Sequence, residues 1–247
     1  MDNFEKLIIY GKNAVIEALK AARPINALYV IKDGKGLSEH IAIAKKAGIV
    51  IKEANPDKLN SMSEGNRHGG IAAELASAEY SSVEEILAVR DKPFIIIADE
   101  IEDPHNLGAL IRTAEAAGAD GFIIPKRRSV QLTGAVYAAS AGACAYLKIA
   151  RVTNLTDTIK TLKKHNIWVY GAEADGEPYT GVDFSGGGVC LVIGSEGQGL
   201  SRLVRENCDH IVSIPMYGSM NSLNASVSGG ILMYDIAMKI RRKGGGF

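Results

Sequence analysis

From Pro93 onward the chain carries six short apolar runs, at residues 94–98, 121–124, 145–149, 167–170, 189–193 and 210–214. Runs of this length without polar alternation fit strands buried on both faces of a parallel sheet. Most of the gaps between them have helical spacing, at 107–117, 133–141, 155–165 and 200–206, and a long last helix is predicted from 224 to 241. Strand–helix alternation of this kind predicts a doubly wound α/β domain. Ligands of such sheets bind outside the carboxyl ends of the strands, so the loops there are the places to look for chemistry.

The chain in front of these runs reads as a smaller α/β layer. Helices are predicted at 13–22, 38–47 and 56–62, and strands at 27–31, 49–51 and 70–74. Residues 76–82 are small and polar, and a charged stretch, 83–92, follows. The expected organisation is a front domain over 1–76, a linker with a bridging helix over 77–92, and a second domain over 93–247. A chain of 247 residues is comfortable for two domains.

Composition adds mainly exclusions. With 28 basic and 28 acidic side chains the formal net charge is zero, so overall charge gives no reason to expect a nucleic-acid partner. If RNA is bound, local clusters must supply the field. The candidates are Lys126-Arg127-Arg128, Lys163-Lys164 and Arg241-Arg242-Lys243. Residues 1–6 lack the basic start and apolar run of a secretory signal, and no apolar stretch is long enough to span a bilayer. Cys144, Cys190 and Cys208 are far apart and form no C-x-x-C pair. Buried, reduced thiols in a cytoplasmic protein are the expectation. The five histidines are scattered without ligand spacing, so no metal site is expected.

Three loops stand out. The first, Asp103-Pro104-His105-Asn106-Leu107-Gly108, runs into Arg112-Thr113-Ala114. Asn106 is placed to cap a helix there, and Arg112, six residues on, carries a side chain long enough to fold back. Taken alone, this loop is better explained by a cap and a surface charge. The second, Gly194-Ser195-Glu196-Gly197-Gln198-Gly199, has glycines that let backbone approach a ligand, yet it matches neither a dinucleotide fingerprint nor a P-loop. The third runs from Ile214-Pro215-Met216 through Ser222-Leu223-Asn224 and has more hydroxyl and amide groups than capping one helix requires.

Together and in this order, the three loops resemble the signature motifs of the SpoU/TrmH family within the SPOUT methyltransferases. The patterns D-P-x-N-x-G-x-x-x-R-T-A, G-x-E-G-x-G and I-P-M-x-G-x-x-x-S-L-N are all present. The front segment from Tyr10-Gly11-Lys12-Asn13 is similar to the L30e-like substrate-binding domain of many members. His68-Gly69-Gly70 departs from the family's frequent His-Gln-Gly.

The resemblance implies a mostly parallel α/β catalytic domain with a trefoil knot, behind a small L30e-like α/β domain. It implies S-adenosylmethionine as methyl donor, held by Gly194, Ile214 and Leu223. It implies catalytic roles for Asn106, Arg112, Glu196, Ser222 and Asn224 in methylating a ribose 2′-hydroxyl of RNA, with a guanosine of 23S rRNA as the expected target and a homodimer as the working unit. Because a guanidinium is almost never neutral at pH 7, Arg112 is read as holding phosphate and hydroxyl and stabilising a developing alkoxide. His105 falls on a variable motif position and is read as a loop histidine. A tRNA ribose methyltransferase and a catalytically silent RNA-binding protein remain the alternatives. An oxidoreductase would need a phosphate-loop motif that this chain lacks.

Overall fold

A computed structural model describes residues 7–244 of the chain, with side chains up to Arg241. Residues 1–6 and 245–247, and the side chains of Arg242 and Lys243, lie outside the described residues. Two compact units emerge. One holds the described residues up to Glu79 together with Leu132–Tyr146, and the other holds Tyr80–Gln131 and the chain from Leu147 on.

The first unit begins with β1 (Leu7–Tyr10), α1 (Lys12–Lys20), β2 (Ile25–Ile31), α2 (Ser38–Lys46), β3 (Val50–Ala54), α3 (Pro56–Met62) and β4 (Ile71–Leu75). Its sheet has the order β1-β4-β2-β3. β1 was not anticipated. It is four residues long and pairs antiparallel with β4, Ile9 opposite Ala73. A strand that short carries too little periodicity to be read alone.

The second unit starts with α4 (Val83–Leu87), β5 (Phe94–Ala98), α5 (Pro104–Ala116) and β6 (Gly121–Pro125). The chain then supplies α6 (Gly134–Ala139) to the first unit. It returns through β7 (Ile149–Val152), α7 (Leu155–Lys164), β8 (Ile167–Pro178), β9 (Gly188–Ile193), α8 (Arg202–Asn207), β10 (His210–Ser213) and α9 (Ala225–Gly244). The six strands form one sheet of order β10-β8-β9-β5-β6-β7, and all five pairings are parallel. Every residue of β5, β6 and β9 is buried, as strands covered on both faces require. Among the described residues no helix is long and apolar enough to cross a membrane.

Three expectations need correction. The apolar run 145–149 is not a strand. Residues Ala143–Ala145 form a 3-10 turn after Gly142, whose φ of 93° suits glycine, and the carbonyls of Cys144 and Ala145 accept from the Arg23 guanidinium. β7 therefore starts at Ile149. The uninterrupted second domain is broken at Leu132–Tyr146, which packs so closely on β1 that a Cβ on Gly134 would lie 2.2 Å from the Ile8 carbonyl oxygen. Third, α5 begins at Pro104, with Asp103 as its cap: the carboxylate accepts from the amides of His105 and Asn106 at 3.1 and 3.3 Å. Pro at the first helical position after an acidic cap is a favoured start. Asn106 is therefore inside the helix, and its side chain is released from capping.

β8 is longer than the apolar run that announced it. Its pairing with β10 jumps from Gly171↔Ile211 to Glu177↔Val212, so residues 172–176 have no partner there. Gly176 closes this excursion where a Cβ would lie 2.6 Å from the Ile211 backbone. The excursion lies at the carboxyl side of the strands.

Candidate active site

A cavity of about 510 Å³ opens at the carboxyl ends of β8, β9 and β10. That volume suits a nucleoside-sized ligand. Its floor and walls are the loop after β9, from Gly194 to Gly199, and the loop after β10, including Ile214, Asn221, Ser222 and Leu223. Gly194, Ile214 and Leu223, singled out from the sequence, all line it, as do Glu196, Ser222 and Asn224. Ile193, Val212 and Leu232 add apolar surface.

The loop after β9 is a tight hairpin. Ser195 and Gly199 exchange backbone hydrogen bonds at 3.1 and 3.0 Å. This pairing explains Gly194, because a Cβ there would lie 2.2 Å from the Gly199 carbonyl carbon. Gly197 and Gly199 have φ of 84° and 67°, which glycine tolerates without strain. Glu173, on the β8 excursion, latches the far end: its Oε1 accepts from the Leu200 amide at 2.5 Å. Asp99, at the carboxyl end of β5 and only 2% exposed, accepts from the Ser201 amide at 2.7 Å. Burial pushes the Asp99 carboxyl up, against that hydrogen bond, which draws it down.

At the cavity mouth one side chain from each loop meets the other two. The Asn106 amide donates to Glu196 Oε1 at 3.1 Å. Asn224 donates from Nδ2 to Asn106 Oδ1 at 3.0 Å and also to Glu196 Oε1. Asn224 spends its Oδ1 on capping α9, accepting from the amides of Ser226 and Val227 at 2.9 and 3.3 Å. The capping fixes which way the Asn224 amide faces, and the triangle then fixes Asn106. The surplus of polar groups in the third loop thus has a partial explanation: Asn224 caps and reaches across, while Ser222 and Asn221 face the cavity.

Arg112 is not brought into this cluster. Six residues separate it from Asn106, which is about 240° around the helix and about 9 Å along it. It is exposed, it does not line the cavity, and its side chain has no hydrogen bond or ion pair among the described residues. Helices α5 and α9 pack together: a Cβ on Gly229 would meet Leu110 at 2.4 Å, and one on Gly230 would meet Thr113 at 3.7 Å. Arg112 therefore sits on the same helix pair as an exposed apolar stripe of α9, formed by Val227 (50% exposed), Ile231 (37%), Tyr234 (49%) and Met238 (45%). Leu232 and Ile236 take the buried side. His105 is exposed in the first turn of α5. Among the described residues no group of three His, Cys, Asp or Glu side chains could hold a metal ion.

Sequence reasoning missed Ala172, Glu173 and Ala174 in the cavity wall. The available signal was the small-residue run Gly171-Ala172-Glu173-Ala174-Asp175-Gly176 directly after an apolar strand, a pattern in which backbone can leave the ladder.

A doubly wound sheet with its cavity at the carboxyl ends of β8, β9 and β10 defines the class, an α/β protein that holds a small ligand in strand-end loops. Comparison with known proteins then gives the family. Residues 93–234 match the SpoU rRNA Methylase family, and residues 8–81 match the family described as RNA 2′-O ribose methyltransferase substrate binding. The chain belongs to the SpoU family of RNA methyltransferases. YacO of Bacillus subtilis, assigned to the TrmH family of tRNA/rRNA methyltransferases, is 44% identical over 238 residues, spanning 94% of this chain and 95% of that protein. The fold is also that of AviRb from Streptomyces viridochromogenes, a SpoU methyltransferase crystallised with the cofactor AdoMet. The TM-score is 0.83 at 23% identity, covering 98% of this chain and 92% of that one. A crystal structure of an RNA 2′-O ribose methyltransferase matches with a TM-score of 0.79 at 25% identity, over 98% and 91% of the two chains.

Proposed function

We propose that this protein transfers a methyl group from S-adenosylmethionine to a ribose 2′-hydroxyl of RNA, with a guanosine of 23S rRNA as target. One observation carries the reading. Among the described residues the cavity wall holds two carboxylates, Glu173 and Glu196, and no lysine, arginine or histidine. A nucleotide cofactor bearing phosphates would meet repulsion there, whereas a cationic adenosyl sulfonium with an ammonium tail would not. Apolar side chains at Ile193, Ile214, Leu223 and Leu232 suit an adenine ring, and the main chain of the two loops can read its edge. When bound, that cofactor supplies an electrophilic methyl group.

The chain's own residues do the rest. Gly194, Ile214 and Leu223 hold the cofactor. The Asn106–Glu196–Asn224 triangle fixes the cavity mouth, where Ser222 orients the incoming ribose. Arg112 holds the RNA phosphate and the attacking hydroxyl and stabilises the alkoxide as it forms, which a permanently charged, planar fork does better than a base. Since Arg112 stands away from the triangle of its own chain, it serves the cavity of a second copy. The exposed stripe of α9 beside it is the surface that copy would cover, giving a homodimer with two composite sites. The trefoil knot and a cytoplasmic location belong to the same reading, through the family.

The test is to map ribose methylation in rRNA and tRNA from cells lacking the protein. Loss of one 2′-O-methylguanosine in 23S rRNA is expected. Loss confined to tRNA would move the target to the other RNA class, and an unchanged methylation map would overturn the reading.

A further inference from the structure

The loop after β6 carries Lys126, Arg127 and Arg128, all exposed, and none has a part in the site described above. Three cations in a row would ordinarily be a mobile, solvated turn. This one is pinned on every side. The Lys126 amide donates to the Val152 carbonyl at 2.8 Å. Gln131 donates from Nε2 to the carbonyls of Pro125 and Ser129 at 3.1 and 2.9 Å, and Ser129 and Val130 both donate to the Ile101 carbonyl at 3.0 Å. Arg128, with φ of 55°, pairs with Glu100, itself at φ of 57°, so two left-handed residues are held together across neighbouring loops. The remaining cations of the turn, Lys126 and Arg127, make no ion pair among the described residues. Arg151, exposed on the adjoining edge strand β7, adds a third charge. It lies over the Tyr80 ring at 4.7 Å and reaches Gln131 Oε1.

Strand order gives this patch a direction. Along the carboxyl edge of the sheet, the loops of β8, β9 and β10 hold the cavity, β5 comes next with Asn106, and β6 and β7 follow with Lys126, Arg127 and Arg151. Cavity, reacting position and basic corner thus lie in sequence on one edge.

We propose that Lys126, Arg127 and Arg151 form a preorganised phosphate track for the RNA strand that carries the target ribose. The proposal rests on the RNA methyltransferase reading and names the part of the catalytic unit that grips the substrate backbone. A chain of zero net charge needs such a local field to bind a polyanion, and a turn held by six hydrogen bonds and ion pairs loses little entropy on binding. Phosphate contacts position a strand without reading its sequence, so the track acts on any RNA that the front unit delivers.

The experiment compares wild type with Lys126→Glu/Arg127→Glu and with the milder Lys126→Gln/Arg127→Gln. The probes are 23S rRNA and tRNA purified from a strain lacking the protein. Binding is measured across a salt series, with S-adenosylhomocysteine affinity and thermal melting alongside. The Gln pair is expected to weaken RNA binding about tenfold and to make the slope of log K against log salt shallower by about 1.4, the value for two single-strand phosphates. The Glu pair is expected to weaken it further. S-adenosylhomocysteine affinity and melting stay at wild-type values. RNA affinity and salt slope unchanged in both variants, with wild type binding RNA normally, would overturn the track alone. Failure of wild type to bind either RNA would overturn the RNA reading and the track with it.

Discussion

Asn106 shows how a residue can be singled out from the sequence and yet be misplaced in its local structure. The sequence marks it as a cap, but Asp103 takes that position and leaves the Asn106 amide free to bridge Glu196 and Asn224. Arg112 is the converse case: its helical position is legible, and its distance from the triangle is not, because that depends on how α5 packs against the loops of other strands. Replacing Arg112 with Ala is expected to lower kcat by about 10²–10³, the usual cost of losing one group that stabilises developing charge, while S-adenosylhomocysteine affinity stays unchanged. Arg112→Lys is expected to fail similarly, since an ammonium cannot reproduce the fork. Steady-state kinetics and calorimetry check both, and near-normal turnover of the Lys variant would refute the geometry. The thiols give a second test at this scale. Burial pushes Cys144 and Cys208 up to about 12 and Cys190 well above its ordinary value, so all three stay protonated at pH 8. Slow reaction with a disulfide reagent in the native protein, and rapid reaction of all three after denaturation, is the expected result.

At the scale of elements, the buried strands were the most legible part. The all-apolar runs of β5, β6 and β9 leave little choice beyond a parallel sheet covered on both faces. β1 and β7 were harder to read. β1 is short, and the apolar run before β7 is diverted into a turn because Arg23 binds its carbonyls, a long-range contact that no local pattern reports. The β8 excursion was likewise hidden, because a strand's register depends on its neighbour. Glycine-rich loops were visible as such, but the reason for each glycine was not. Gly194 is needed for the hairpin's own closure and also lines the cavity. Gly194→Ala is therefore expected to force the Ser195–Gly199 pairing apart, since a backbone atom cannot yield as a side chain would. Overpacking of this kind costs about 1–3 kcal/mol, read as a lower melting temperature, and S-adenosylhomocysteine binding is expected to weaken in parallel. Unchanged binding would mean that the hairpin does not shape the cavity.

For the whole molecule, the structure divides the apolar residues of α9 between two faces. Leu232 and Ile236 are buried within the chain, and Val227, Ile231, Tyr234 and Met238 remain outside. Ile231→Asp with Tyr234→Asp is expected to give a monomer by light scattering, without loss of fold and with loss of turnover. If Arg112 serves the neighbouring cavity, an inactive Arg112→Ala protomer mixed with an inactive Glu196→Ala protomer forms heterodimers with one intact composite site. Up to about half the wild-type activity per heterodimer is expected to return, and no recovery would place both residues in one chain's site. The central claim is the reaction itself. Purified protein is incubated with methyl-labelled S-adenosylmethionine and rRNA from a strain lacking the protein, and the RNA is digested to nucleosides. Label in 2′-O-methylguanosine, appearing at least about a hundredfold more slowly when Arg112→Ala replaces wild type, is the result expected; label on a base, or transfer at near wild-type rate in the variant, would contradict the account.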